Sequence, residues 1–306
     1  MTEHRRGLWF GLGAYLGWGV FPLYWPLLKP AAATEILAHR IVWSLLFVVV
    51  LVLAMSRLAL LRSVAGDRRR LGFISVGAVV VAINWGTYIY GVNSNQVVET
   101  SLGYFINPLV TVFLGVLVLG ERLRRVQWAA ITIAVLAVLV LTYDYGRPPW
   151  IALILAFSFG TYGLMKKKAG VGTTEGLTIE TAILAPVALT YLLVEQTRGA
   201  ASFGHEGWGH VGLLVGTGVV TAIPLLLFGA SATRIPMTTL GMLQYVAPMM
   251  QFALGLFVFD EQMTPARWLG FGLVWLALLV LTAESLHRRR APTPAPVDSE
   301  PAPASA

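Results

Sequence analysis

Residues 108–128 read PLVTVFLGVLVLGERLRRVQW, and residues 248–268 read PMMQFALGLFVFDEQMTPARW. Pro108, Leu114, Gly115, Val118, Glu121 and Trp128 recur as Pro248, Leu254, Gly255, Val258, Glu261 and Trp268, all at one shift of 140 residues. Working outward, Leu136 to Thr142 matches Leu276 to Thr282 with only Val138 and Leu278 differing. Upstream, Gly91, Leu102 and Gly103 return as Gly229, Leu240 and Gly241 at a shift of 138. Leucine-rich stretches match by chance, but Pro, Gly, Glu and Trp holding one register indicate a duplicated chain. One position departs from the pattern: Asp260 precedes Glu261 where Gly120 precedes Glu121.

What is duplicated is membrane-embedded. Of the 306 residues, 57 % are hydrophobic and 12 % charged, about half the charge density of a soluble domain. The apolar residues form ten blocks, at roughly 8–28, 35–55, 72–92, 100–120, 126–144, 149–165, 176–195, 211–231, 238–259 and 266–284. Each has about the 20-residue length of one helical crossing. The first block is too long in its apolar core for a signal peptide, and Pro22 and Pro26 interrupt it. The chain contains no cysteine, which excludes disulfides and thiolate chemistry.

Direction follows from Lys and Arg. With the N-terminus in the cytoplasm, Arg5, Arg6, Arg57, Arg62, Arg68–Arg70, Arg122, Arg124, Arg125, Lys166–Lys168, Arg234 and Arg288–Arg290 fall inside. Only Lys29, Arg147, Arg198 and Arg267 fall outside, and Arg40 lies within a span. The net charge of +7 is therefore a topology signal and not a nucleic-acid footprint. Both ends are expected in the cytoplasm. The expected fold is all-α and polytopic, with ten transmembrane helices arranged as two inverted five-helix repeats, 1–146 and 147–285, and a disordered Pro/Ala-rich tail at 286–306. An odd number of spans per repeat makes the halves enter the membrane in opposite senses, the architecture of many secondary transporters.

The residues resemble the EamA-type branch of the drug/metabolite transporter superfamily. The likeness covers about residues 7–285 and is carried by Glu35-Ile-Leu-Ala-His39-Arg40, Asn84-Trp85-Gly86 with Val92-Asn93, and Glu99-Thr-Ser-Leu-Gly103-Tyr104-Phe-Ile-Asn107-Pro108. Leu119-Gly120-Glu121-Arg122, Gly176-Leu177 with Glu180-Thr181, Pro224-Leu225 with Phe228, and Gly241 with Gln244-Tyr245 and Pro248 extend it. The resemblance implies ten helices, a bacterial-type inner membrane, and export of small metabolites or drugs, including a chloramphenicol-type phenotype.

Charged and amide side chains at bilayer depth face partners or a water-filled cavity. Arg40 lies about five residues, or roughly 8 Å, into its span, and the 140-residue shift aligns it with Glu180. These opposite charges read either as a pair or gate lining the substrate cavity, with Glu180 able to couple protons, or as a structural salt bridge, or as Arg40 turning outward to Glu35. Pro108 and Pro248 each remove a backbone donor and free the carbonyl four residues earlier, on Tyr104 and Gln244. Paired helix breaks point to a binding site, which places Tyr104, Asn107, Gln244 and Tyr245 on the cavity wall; helix–helix hydrogen bonding is the alternative. Asn84, beside Trp85 and Tyr88, and Gln251 read in the same two ways.

Glu99 is expected to cap its own helix, and Glu121 and Glu261 to serve tight turns. The glycine runs Gly11, Gly13, Gly17, Gly19 and Gly212, Gly216, Gly218 suit close helix approach, because no Lys-Ser or Lys-Thr follows them to make a phosphate loop. His205 and His210 are too poorly spaced for a metal site. No catalytic residue, metal or cofactor is expected, and the partners are a small-molecule substrate and the lipid bilayer. A lipid-modifying enzyme would need its ionisable groups gathered at one interface, and a sensor or scaffold would need a recognition domain.

Overall fold

The computed structural model describes residues 2–119, 124–232, 234–235 and 237–290, so Gly120, Glu121, Arg122 and the tail from residue 291 lie outside the described residues. Every regular element among them is a helix. The first half holds α1 (Glu3–Gly19), α2 (Phe21–Tyr24) running into a 3-10 turn (Trp25–Leu28), α3 (Ala33–Ala54), α4 (Leu58–Gly66), α5 (Arg68–Asn93), α6 (Val97–Leu119) and α7 (Arg125–Tyr145). The second holds α8 (Trp150–Ala169), α9 (Thr173–Thr197), α10 (Gly207–Ala232), α11 (Met237–Leu243), α12 (Val246–Phe257) and α13 (Pro265–Arg290).

Local chemistry sets these boundaries. Pro22 and Pro26 occupy first-turn positions of the two short elements after α1, where a missing N–H is harmless. Asp67 begins α5 by accepting the N–H groups of Arg69 and Arg70 at 3.0 and 3.1 Å. Gly146 and Gly170 end α7 and α8 at φ of 63° and 60°, a backbone region that favours glycine.

Among the described residues, seven helices are long and apolar enough to cross a membrane: α3, α5, α6, α7, α9, α10 and α13. The other three expected blocks are also helical, but each is interrupted or charged. The first divides after Gly19, α8 ends in Lys166, Lys167 and Lys168, and the ninth divides between α11 and α12. Sequence reading missed α4, a nine-residue surface helix between Arg57 and Asp67.

The large apolar side chains left exposed, such as Val187, Leu193, Leu139 and Leu279, form the kind of surface that water does not tolerate but lipid covers. Inside, α8 packs between α5 and α6, α10 between α1 and α3, and α12 against α1 and α6. Helix α3 also lies on α9, and α7 on α13. One core gathers Phe105, Phe252, Phe271 and Trp275 from α6, α12 and α13, and a second joins Trp25, Ile36, Tyr88, Ile89, Ile151 and Leu155.

Glycine permits the closest crossing. A Cβ on Gly218 of α10 would meet the Trp43 backbone of α3 at 2.5 Å, whereas one on Gly212 meets nothing within 4 Å. Gly218→Val should therefore lower thermal stability in detergent by about 1–3 kcal/mol, the usual cost of overpacking. Gly212→Ala should melt close to the parent protein.

Candidate functional site

The two buried charges on α3 and α9 are not bonded to each other. Arg40 is 4 % exposed. Its Nε donates to Oγ1 of Thr221 on α10 at 2.8 Å, and its guanidinium carbon lies 4.0, 5.1 and 5.7 Å from the ring centroids of Trp85, Trp25 and Phe21. Glu180 is 1 % exposed and answered from α8, by Lys166 Nζ at 2.9 Å and by the Tyr162 hydroxyl at 3.0 Å. The direct Arg40–Glu180 salt bridge expected as one reading is thus replaced by two separate cages. Arg40 does not turn to Glu35 either, because Glu35 Oε1 accepts the N–H groups of Ser202 and Phe203 and the Ser202 hydroxyl. The physical reason is proximity: α8 and α10 bring suitable groups closer than α3 and α9 bring each other.

Three of the four predicted amides, Asn84, Asn107 and Gln251, bond neighbouring helices. Asn84 donates from Nδ2 to the Leu155 carbonyl at 3.1 Å and to Ser158 Oγ at 3.0 Å, and its Oδ1 accepts the Tyr104 hydroxyl at 3.3 Å. Asn107 Nδ2 donates to the Ala156 carbonyl at 3.1 Å. These bonds stitch α5 and α6 onto α8. Pro108 sits inside α6 without interrupting it, so the expected break is absent there. Asn107, together with Gly103 against the backbone of Ala152, packs α6 on α8 just ahead of the proline. Upstream of Pro248 the helix does divide, with Gln244 and Tyr245 between α11 and α12. Gln251 Nε2 donates to the Trp18 carbonyl at 3.0 Å, while its Oε1 has no partner among the described residues.

Two cavities, of about 350 and 410 Å³, open among loops. Glu35, Glu195, His205 and Glu206 line the first, and Glu99, Arg147, Glu261 and Arg267 the second. None of the eight side chains predicted to face a cavity lines either one. Arg40, Asn84, Glu180 and Gln251 are buried, whereas Tyr104, Asn107, Gln244 and Tyr245 are partly exposed. His210 Nε2 bonds the Leu28 carbonyl at 2.9 Å, away from His205.

At the loop ends, carboxylates serve helices other than their own. Glu99 was expected to cap α6, but Oε1 accepts Ile151 N–H at the start of α8, and Oε2 pairs with Arg147 at 2.9 Å. The start of α6 is instead held by Glu261, which accepts the N–H groups of Val97 and Val98. Burial pushes the Glu261 carboxyl up to about 7, against the opposing pull of those two donors and of Arg267. Arg57–Glu175 at 3.1 Å, Arg267–Asp144 at 2.7 Å, Arg124–Glu284 at 3.6 Å and Arg234–Glu3 at 3.0 Å are further pairs between elements. Sequence reading missed Lys166, Tyr162, Thr221, Arg57 and Asp144 as partners, since nothing in the local pattern marks them.

Comparison with known proteins adds to this geometry. The family described as the EamA-like transporter family matches twice, at residues 5–143 and 148–283. The chain is 55 % identical to Protein RarD of Streptomyces exfoliatus over 94 % of its own length and 92 % of that protein's. It is 41 % identical to the uncharacterized transporter YojE of Bacillus subtilis, over 95 % and 98 %. A solved structure aligns with a TM-score of 0.58 at 18 % identity, covering 93 % of this chain and all of the other, and so shares the fold.

Lys166→Met should leave Glu180 buried and unpaired. A fully buried pair broken in this way costs about 3–5 kcal/mol; the loss here should fall toward the lower end, because the Lys166 side chain is 23 % exposed. Lys166→Met combined with Glu180→Gln should regain most of the lost melting temperature. Glu261 gives a pH prediction. A carboxyl raised from 4.5 to about 7 binds its proton more tightly when folded, so its contribution to stability is complete below about pH 4.5 and is lost as pH rises through about 7. Melting temperatures measured from pH 5 to 8 should fall more in the parent than in Glu261→Gln.

Proposed function

We propose that this chain, which belongs to the EamA-like transporter family, is a secondary active transporter that exports a small organic molecule by alternating access. In this reading it crosses a bacterial inner membrane ten times, as two inverted five-helix halves with both termini in the cytoplasm. The seven long apolar helices are joined by three passes that are kinked, divided or charge-terminated.

Several observations support the duplication. The family matches once in each half. Packing partners exchange with the halves: α5 on α8 answers α10 on α1, and α6 on α8 answers α12 on α1. Glu35 and Glu175, separated by the same 140 residues, each open the second pass of a half. Each bonds the loop that follows its counterpart's helix, Glu35 through Ser202 and Glu175 through Arg57.

The observation that carries transport is the burial of Arg40 and Glu180 at matched positions of α3 and α9, helices that pack on each other. Fixed opposite charges at the junction of two halves suit a centre whose partners change as the halves rock. Asn84, Tyr104, Asn107, Gln244, Tyr245 and Gln251 would then border the path as it opens, with flexure at Pro248 and Pro108. Proton coupling in this scheme passes through Glu180, the acid whose partner, Lys166, reaches it from α8.

Export should be followed in cells lacking the protein, cells overproducing it, and cells overproducing Arg40→Ala or Glu180→Gln at equal membrane abundance. A compound that accumulates outside only with the parent protein, and with neither variant, is the expected result. Normal export by both variants would remove Arg40 and Glu180 from the mechanism. Reconstitution with an imposed pH gradient then reports the coupling ion.

A further inference from the structure

Arg40 is the one buried Lys or Arg among the described residues, and no carboxylate there lies within ion-pairing distance of it. The buried acids are all answered: Glu180 by Lys166, Glu175 by Arg57, Glu99 by Arg147, and Glu35 by the N–H groups of Ser202 and Phe203. Rings on three sides return part of the hydration the guanidinium has lost, but an unneutralised buried charge is still costly. Thr221 occupies Nε, which leaves the two Nη groups, the edge that pairs with a carboxylate in bidentate fashion.

The surroundings supply more unused polar groups. The Tyr88 hydroxyl, the Trp25 indole N–H and the Ser44 hydroxyl are all buried without partners among the described residues. Tyr88 packs in one cluster with Trp25, Trp25 forms one wall of the Arg40 cage, and Ser44 follows Arg40 by one turn on α3. The four groups share one chemical character: each can donate a hydrogen bond, and none carries negative charge.

We propose that Arg40 anchors an anion site and that the cargo is a small organic carboxylate with a flat apolar body. The guanidinium would pair with the carboxylate while Trp85, Trp25 and Phe21 flank the body. This assignment rests on the transport reading above. A cationic cargo would be repelled, and a neutral one would leave the charge unmatched.

The test uses the purified full chain in detergent, following thermal stabilisation and tryptophan fluorescence during titration. The probes are acetate, benzoate and phenylacetate, the amides of the last two, and chloramphenicol as a neutral aromatic drug. Benzoate and phenylacetate should bind saturably and at least about tenfold more tightly than their amides, a difference of one charge-assisted contact. Acetate should bind more weakly than either. Arg40→Gln should abolish the preference, and Arg40→Lys, which keeps the charge but loses the fork, should weaken it.

The site assignment is overturned if no acid gives a saturable response, if the amides or chloramphenicol bind as tightly as the acids, or if Arg40→Gln binds acids unchanged. Should Arg40→Gln fail to fold, the acid-to-amide ratio of the parent protein decides alone. Proteoliposomes separate this inference from the transport reading. Arg40-dependent binding of benzoate without flux of any probe would defeat transport and leave the anion site standing. Flux of chloramphenicol with none of the acids would defeat the anionic cargo and leave transport standing.

Discussion

Everything in this bundle depends on the cost of leaving a charge or a backbone donor unanswered where water is scarce. One response recurs: a polar group on one helix is satisfied by a different helix. Glu99 leaves its own helix to hold Ile151 at the head of α8, and Glu261 reaches back to the first N–H groups of α6. Asn84 and Asn107 close on carbonyls of α8. Apolar contact gives little orientational preference between helices in lipid, so these bonds fix which helix neighbours which. Close approach then becomes possible where glycine removes the side chain, as at Gly218 against Trp43.

That rule explains what was legible in the sequence. Apolar block length and the loop charges located the helices, because both report directly on the surrounding solvent. The matching of Pro, Gly, Glu and Trp across 140 residues suggested a duplication before any contact was known. The depth of Arg40 and Glu180 in their blocks could also be read, although an outward turn of Arg40 to Glu35 stayed open until the contacts were known. Their partners could not. Lys166 belongs to a lysine run that reads as a topology signal, and Thr221 is an unremarkable residue in an apolar stretch. Partner choice is made by helix packing, which a local pattern does not encode. Helix α4 escaped for a related reason: nine residues with Arg57, Arg62 and Arg68 in and around them look like a charged loop.

The two prolines carry the same point into the backbone. Pro108 and Pro248 have the same local chemistry, and the sequence alone gives them the same expectation. Yet α6 runs on past Pro108, while the second half divides at Gln244 and Tyr245. A proline removes one hydrogen bond; whether the helix then parts depends on what lies alongside. Gly103 and Asn107 press α6 onto α8 on the near side of its proline.

On the proposed duplication, these differences are the informative part of the structure. Two halves built to one plan would place equivalent residues in equivalent surroundings if the molecule were symmetric in every respect. Glu180, however, has a lysine and a tyrosine within 3.0 Å, whereas Arg40 has a threonine and three ring faces. In the proposed cycle, a flexible lysine can neutralise the acid and still release it when the helices move. Among the described residues no acid pairs with Arg40; such a group would compete with the proposed anionic ligand for the same nitrogens. On that proposal the aromatic cage is a compromise: its ring faces stabilise the cation enough to fold around it, while its unused donors would keep the position able to accept a carboxylate.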